Sequence, residues 1–493
     1  MITTLTRDPA EGKLYLDGQV SVLRGGSYDL FHDPGRCPAA ICRRLANGAL
    51  RAHVVPYTDP IANPCQKQED RDEPVVMDVW REPRNPQGVP LDDFAAFFGR
   101  MTATRCNFVR VFLGGATMIR DGAPVTISPF VRATVPGGVR YDVRGAVEGN
   151  RWNGDYFARL HAFVQQADAA GVVVQLALFN YRELAGGDER GSVKTWSYSP
   201  WRADNSMDGV WADGHLIPTA VLPPERQRQF VAPPEGRGTR RVQEALIRRV
   251  VQEVAGFGNV VLEVMNEPRA SLPEIAAFDS FVAGRVLAFR PAGAHPAPLL
   301  SVNASLNGAG TTDMDVWRRR TDLPHYAAVD LVSYHAMTAL GYKELSACGG
   351  RVKLPRVDPA KIRERAGLHL GAHSDPGAAK ALMFSTDAVD VERFTHEYAG
   401  DTLEMNVRDG QILTEPTPVG AQTLEDAQLL RGHVYHWAKW SLGLESGVGR
   451  GRVHLHNDAT FRLALARIAR AARELGLQPA AAGAPESEAE LTV

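Results

Sequence analysis

The segment Asp155–Asn180, DYFARLHAFVQQADAAGVVVQLALFN, constrains the fold of this chain more than any other. Phe157, Leu160, Val164 and Ala167 recur at helical spacing, Gly171 stops the helix, and VVVQLALF follows as an unbroken apolar strand. A strand that is apolar on both faces must be covered on both faces, which is the condition of a parallel sheet packed under helices. The same order recurs in LDDFAAFFGRMTATRCNFVRVFLGG, in VQEALIRRVVQEVAGFGNVVLEVMNEP, and where AKALMFSTD follows the segment beginning PAKIRERAG. With SYDLF first and shorter candidates at 299–304, 329–335 and 452–457, the strands number eight. The expected fold class is therefore α/β, a (β/α)₈ barrel. Ahead of it, KLYLDGQVSVLRGG predicts a hairpin turning on Asp17-Gly18, a dipeptide suited to a type I′ turn.

Four connections, at 32–92, 114–154, 181–238 and 338–378, are far longer than a barrel needs. Each follows a strand, so all four are expected at the C-terminal face, where barrel sites are built. No internal repeat or low-complexity linker divides the chain. Residues 1–477 are thus expected to form one elaborated barrel domain, closed by a helix over 459–477, with 478–493 a flexible tail.

Lys+Arg 55 against Asp+Glu 57 leaves a formal charge of -2, which gives no electrostatic reason for a nucleic acid or an anionic membrane as partner. A neutral substrate fits that balance. The N-terminus has no apolar run behind a basic start, and no stretch approaches the ~20 apolar residues of a membrane helix, so a cytoplasmic chain is expected. The five cysteines, Cys37, Cys42, Cys65, Cys106 and Cys348, are an odd number without C-x-x-C spacing. Neither a disulfide framework nor a zinc site is indicated, and no cofactor is expected.

The chemistry concentrates in GFGNVVLEVMNEP, residues 256–268. A glycine-bounded apolar strand delivers Asn266 and Glu267 at its end, and Pro268 prevents the strand from continuing. Glycoside hydrolysis needs a carboxylic acid to protonate the leaving oxygen and a carboxylate on the opposite face of the sugar ring. Glu267 suits the first role, and the Asn266 amide would hold the sugar 2-hydroxyl. The structural alternative is an ordinary strand-terminating turn.

Here the sequence resembles the retaining glycoside hydrolase clan typified by the family 5 cellulases and mannanases, whose fourth strand ends in Asn-Glu-Pro. YLDGQVSVLRGGSY is similar to that group's hairpin and first strand, NFVRVFL to its second strand with Arg110, and VSYHAM to its sixth with His335. The resemblance implies an O-glycosyl hydrolase acting on a carbohydrate, with Glu267 as acid/base. It also marks departures. Where the group carries a glutamate at the end of strand seven, this chain has Asp387, followed by Asp390 and Glu392. Asp387 is expected to be the nucleophile, the alternative being a structural turn aspartate. Aspartate reaches ~1.5 Å less than glutamate, while retention needs the carboxyls about 5–5.5 Å apart and inversion about 6.5–9.5 Å. Asn180 and Met337 stand where the group often has a histidine and a tyrosine, and Tyr334 or Tyr342 would supply the missing hydroxyl. Such differences describe a divergent member, and neither cellulose nor mannan follows as substrate.

A mid-strand arginine such as Arg110 is costly to bury alone and should meet a carboxylate, in a catalytic or a structural role. Trp196, Tyr198, Trp201 and Trp211 crowd one loop and would form sugar subsites, with Trp201 the expected platform, or else pack the loop on itself. Two other functions compete. His454 and His456, two apart on one predicted strand, would suit a metal-dependent hydrolase of the amidohydrolase type. The altered strand-seven acid would suit a catalytically inactive carbohydrate-binding barrel.

Overall fold

The structure, a computed structural model, describes residues 3–21, 23–28, 30, 94, 98–99, 102, 107–113, 119–120, 123–124, 127–136, 138–185, 196–268, 274–291, 297–305, 325–335, 339–347, 350–357, 379–389, 407–408, 411–412, 434–440, 442–443 and 454–455. Eight strands close into one barrel, numbered here in chain order: β1 (Leu23–Tyr28), β2 (Phe108–Phe112), β3 (Val173–Asn180), β4 (Val260–Asn266), β5 (Leu299–Ser305), β6 (Leu331–His335), β7 (Ala381–Val389) and β8 (Val434–Trp440). Every neighbouring pair is parallel, and β8 pairs with β1 to complete the ring. The (β/α)₈ expectation holds.

The helices that cover the barrel form for the reasons the periodicity gives. Helix α1 (Gly154–Ala169) buries Phe157, Leu160, Phe163, Val164 and Ala167 on one stripe, and its N-cap Asn153 accepts a hydrogen bond from the Asp155 amide. Gly171, at φ +71°, ends it in a Schellman arrangement. There the Val172 and Gly171 amides donate to the Ala167 and Asp168 carbonyls. Helices α2 (Thr239–Val254) and α3 (Glu274–Phe289) bury similar stripes, Val242, Leu246, Ile247 and Val250 in the one and Ile275, Phe278 and Val282 in the other.

All eight residues of β3 and all seven of β4 are buried, because the two faces meet two different cores. Val174, Leu176, Val260 and Leu262 join the layer under the helices. Phe108, Val173, Val261, Leu331 and Ala381 point into the barrel and pack with Leu5, Leu14, Leu16 and Leu23. The latter group is the floor. It is sealed by a three-stranded antiparallel sheet of Leu5–Arg7, Leu14–Leu16 and Gln19–Val20, one strand more than the hairpin expected from sequence. Asp17 and Gly18, at φ +50° and +78°, make the left-handed pair that a type I′ turn requires. Arg7 fixes the sheet to the barrel by pairing with Asp330 at 2.9 Å, whose other oxygen accepts from the Leu300 amide at the start of β5.

Two strands differ from expectation. The first begins at Leu23 rather than at Ser27, because Gly25 and Gly26, which would mark a break in a sequence, pair within the strand against Phe108 and Val109. The eighth is Val434–Trp440, not 452–457. His454–Leu455 instead pairs antiparallel with Leu442–Gly443, so this excursion follows the barrel's last strand, and His454 is not on a barrel strand. Of the four long connections, 114–154 contains the antiparallel pair Arg132–Val135 and Gly138–Tyr141, 181–238 contains helices at 209–215 and 223–231, and 338–378 contains a hairpin of Ala339–Ala347 and Gly350–Val357. The fourth connection, 32–92, the helix and tail over 459–493, and all five cysteines lie outside the described residues.

Gly12 sits at φ +67°, and a Cβ there would come within 2.9 Å of backbone atoms of Ala379 and Lys380, whereas Gly18 at φ +78° has open space around it. Gly18→Ala should therefore cost only the left-handed backbone penalty, about 1–2 kcal/mol. Gly12→Ala should cost more, since it also pushes the floor sheet away from the residues that lead into β7. Urea unfolding of the two variants checks the order.

Candidate active site

Two residues along from the floor, the barrel interior changes from hydrocarbon to polar. Phe108 gives way to Arg110, Val173 to Gln175, Val261 to Glu263, Leu299 to Ser301 and Leu331 to Ser333, in accordance with the two-residue period of strands. Arg110 and Glu263 are both 0% exposed and form a two-pronged pair. Arg110 Nε donates to Glu263 Oε2 at 2.8 Å and Nη2 to Oε1 at 2.6 Å. The carboxylate expected to meet Arg110 is thus on β4. Phe112 lies under the guanidinium, its ring centroid 4.8 Å from Cζ.

The pair anchors a chain of amides. Arg110 Nη2 also donates to Asn266 Oδ1 at 2.8 Å, Asn266 Nδ2 donates to Asn180 Oδ1 at 3.1 Å, and Asn303 Nδ2 donates to Glu263 Oε1 at 2.8 Å. Four adjacent strands, β2 to β5, are tied together in this way. Among the described residues, the buried atoms Arg110 Nη1, Gln175 Oε1, Asn303 Oδ1 and Ser333 Oγ have no hydrogen-bond partner. An isolated cation at this depth would be expensive, and loss of one member of a buried pair typically costs about 3–5 kcal/mol.

The alternation that aims these side chains slips at the rim. In β3, Leu178 and Phe179 both join the outer layer, Phe179 meeting Phe230 and Phe278 at 5.3 and 5.7 Å. Asn180 then turns to Asn266. In β4, Val264 and Met265 both join the outer layer, and Asn266 turns in to Arg110. The slips stand at the same level, since Phe179 is paired with Met265 and Asn180 with Asn266. The next residue, Glu267, is 4% exposed and has φ +46°. A left-handed glutamate directly before a proline is a strained backbone, of a kind that costs about 1–3 kcal/mol and clusters at functional sites.

Asp387 lies within β7, two residues short of its end, and not at the strand terminus. Between the pairs Ser385–His436 and Val389–Ala438, four steps along β7 pass two along β8, so Asp387 occupies the middle of a bulge. Parallel strands put the ends of β4 and β7 on the same rim, with β5 and β6 between them. Tyr334 and His335 are the last two residues of β6, and Tyr342 belongs to the hairpin beyond it. Met337, Asp390, Glu392 and His456 lie outside the described residues.

The aromatic loop packs on itself. Trp201, expected as a sugar platform, is 2% exposed and enclosed by Phe130, Phe179 and Phe230, with centroids 6.3, 6.0 and 4.8 Å away. An indole so enclosed offers no face to a ligand. Trp196 lies against the Arg226 guanidinium, and Trp211 stacks on His215. Sequence patterning also passed over Glu183, in a short helix just after β3. The Trp201 Nε1–H donates to its carboxyl at 3.3 Å. Burial pushes the Glu183 pKa up to about 8, the Trp201 hydrogen bond drawing it back only in part. The signals for Glu263 and Glu183 were an acid inside an apolar strand and an acid beside an aromatic cluster, each a charge that burial must answer.

Among solved structures the chain is similar to a glycoside hydrolase family 5 mannosidase from Rhizomucor miehei, at 12% identity over 96% of this chain and 97% of that one, TM-score 0.47. It is also similar to an endo-1,4-β-mannanase from Rhizomucor miehei, at 10% identity over 89% and 90%, TM-score 0.39. A third is a glycoside hydrolase family 5 enzyme from Prevotella bryantii, at 12% identity over 82% and 90%, TM-score 0.38. No family model matches the chain, and no curated protein matches it.

Glu183 binds its proton more tightly folded than unfolded, so its contribution to stability is complete below the unfolded value of about 4.3 and is lost as the pH rises towards 8. Glu183→Gln keeps an acceptor for Trp201 and removes the ionisation. The variant should match the parent near pH 4 and exceed it by more than about 1 kcal/mol at pH 8.5. Chemical unfolding at the two pH values checks this, and equal differences at both would contradict the assignment.

Proposed function

We propose that the chain is a glycoside hydrolase that cleaves an O-glycosidic bond with Glu267 as proton donor and Asp387 as the second carboxylate. The observation that carries this is the left-handed backbone of Glu267 before Pro268, at the end of β4. A turn that served only to end the strand would take glycine or asparagine at that φ without strain. The chain instead holds an acid there, above a fully buried polar network.

The second support is the bulge in β7 around Asp387. Bulges at barrel rims re-aim side chains beside reacting groups, and an aspartate in place of a glutamate needs such an adjustment to recover its reach. In the proposed reaction Glu267 protonates the leaving oxygen while Asp387 attacks the anomeric carbon from the opposite face. Water then releases the sugar as Glu267 takes back a proton, so configuration is retained. Asn266 holds the 2-hydroxyl, a contact that strengthens as charge develops on the ring.

Glu267→Gln should lower kcat/KM on unactivated aryl glycosides by at least about 100-fold. The loss should be far smaller on dinitrophenyl glycosides, whose leaving group needs no proton, and Tm should not fall. Asp387→Gly should be inactive in buffer and be rescued by azide, with the glycosyl azide of inverted configuration as product. Binding without turnover across a broad panel of glycosides would instead identify an inactive carbohydrate-binding barrel.

A further inference from the structure

We propose that Glu263 is a positioning residue for this reaction: through Arg110 it fixes which atom of the Asn266 amide faces the substrate. The proposal rests on the glycosidase reading of the site. Its basis is the one-way character of the hydrogen bonds. A guanidinium only donates and a carboxylate only accepts. Glu263 takes the Nε–H and one Nη2–H of Arg110, which fixes the plane of the guanidinium and leaves the second Nη2–H directed at Asn266, 2.8 Å away. Asn266 must meet it with Oδ1. Its Nδ2 is thereby turned the other way, where one hydrogen is given to Asn180 Oδ1 at 3.1 Å and the other remains as a donor.

Asn266 is therefore a donor to the oxygen of a substrate hydroxyl and not an acceptor from its hydrogen. The carboxylate that imposes this polarity is itself oriented by the Asn303 amide from β5. Glu263 stands three residues before Asn266 on the same strand, where regular alternation would put the two on opposite faces. Only the slip at Val264–Met265 lets both reach Arg110. Glu263 touches no substrate, and its whole effect passes through Arg110 and Asn266.

The test compares an aryl glycoside that the parent protein cleaves with its 2-deoxy analogue, for the parent, Glu263→Gln and Asn266→Ala. In Glu263→Gln, kcat/KM on the parent glycoside should fall at least tenfold while the 2-deoxy analogue changes less than twofold. The advantage conferred by the 2-hydroxyl should collapse, as it does in Asn266→Ala. Equal losses on both substrates, or no loss on either, would overturn the proposal. Should Glu263→Gln fail to fold, the double variant Arg110→Met/Glu263→Met removes the pair without stranding a charge, and the same collapse is expected. Failure of the parent protein to cleave any glycoside would overturn the glycosidase reading itself, a different result from a parent that cleaves normally and a Glu263 variant that loses both substrates alike.

Discussion

A cation and an anion held together in the buried interior of the barrel, Arg110 against Glu263, dictate much of what surrounds them. Neither could be there alone, because desolvating a charge costs more than any single contact returns. Both are met by additional polar groups, Asn266 on one side and Asn303 on the other. That requirement explains why the barrel divides across its height into a hydrocarbon floor and a polar storey above it. It also explains why strands β2 to β5 must keep their register, since a one-residue shift would carry a charged side chain to the face under the helices.

The sequence shows the alternation of strand and helix plainly, because Phe157, Leu160, Val164 and Ala167 on α1 fit the helical period and Gly171 divides them from the short unbroken apolar run of β3. It shows the end of β4 as well, since Asn266, Glu267 and Pro268 mark a stop that no apolar residue obscures. The eighth strand was not evident. VYHWAKW and RVHLHN have comparable local patterns, and what separates them is whether a segment can lie parallel between β7 and β1, a condition of the closed ring and not of the segment. The two glycines of β1 misled in the same way, for a residue that breaks an isolated strand is tolerated where both neighbours supply hydrogen bonds.

Side-chain direction was less evident than element type. An apolar run buried on both faces gives no sign of where its alternation slips, so nothing in VVQLALFN or VVLEVMN says that Phe179 and Met265 turn outward. Trp201 shows the opposite error. A cluster of aromatics on a long loop has the composition of a sugar subsite, but this loop has its own interior to fill, and the indole fills it around Glu183. Charge was the better guide. Arg110 had to find a carboxylate, and it did, although the partner came from the middle of β4.

The matched slips of β3 and β4 have a consequence for how the chain can change over time. Asn180 and Asn266 meet only because both strands skip a beat at one height. A single-residue insertion or deletion in either strand would separate the two amides while leaving the helices and the floor sound. Drift in length is therefore confined to the connections beyond the rim, and the two staves must lengthen or shorten in step or not at all.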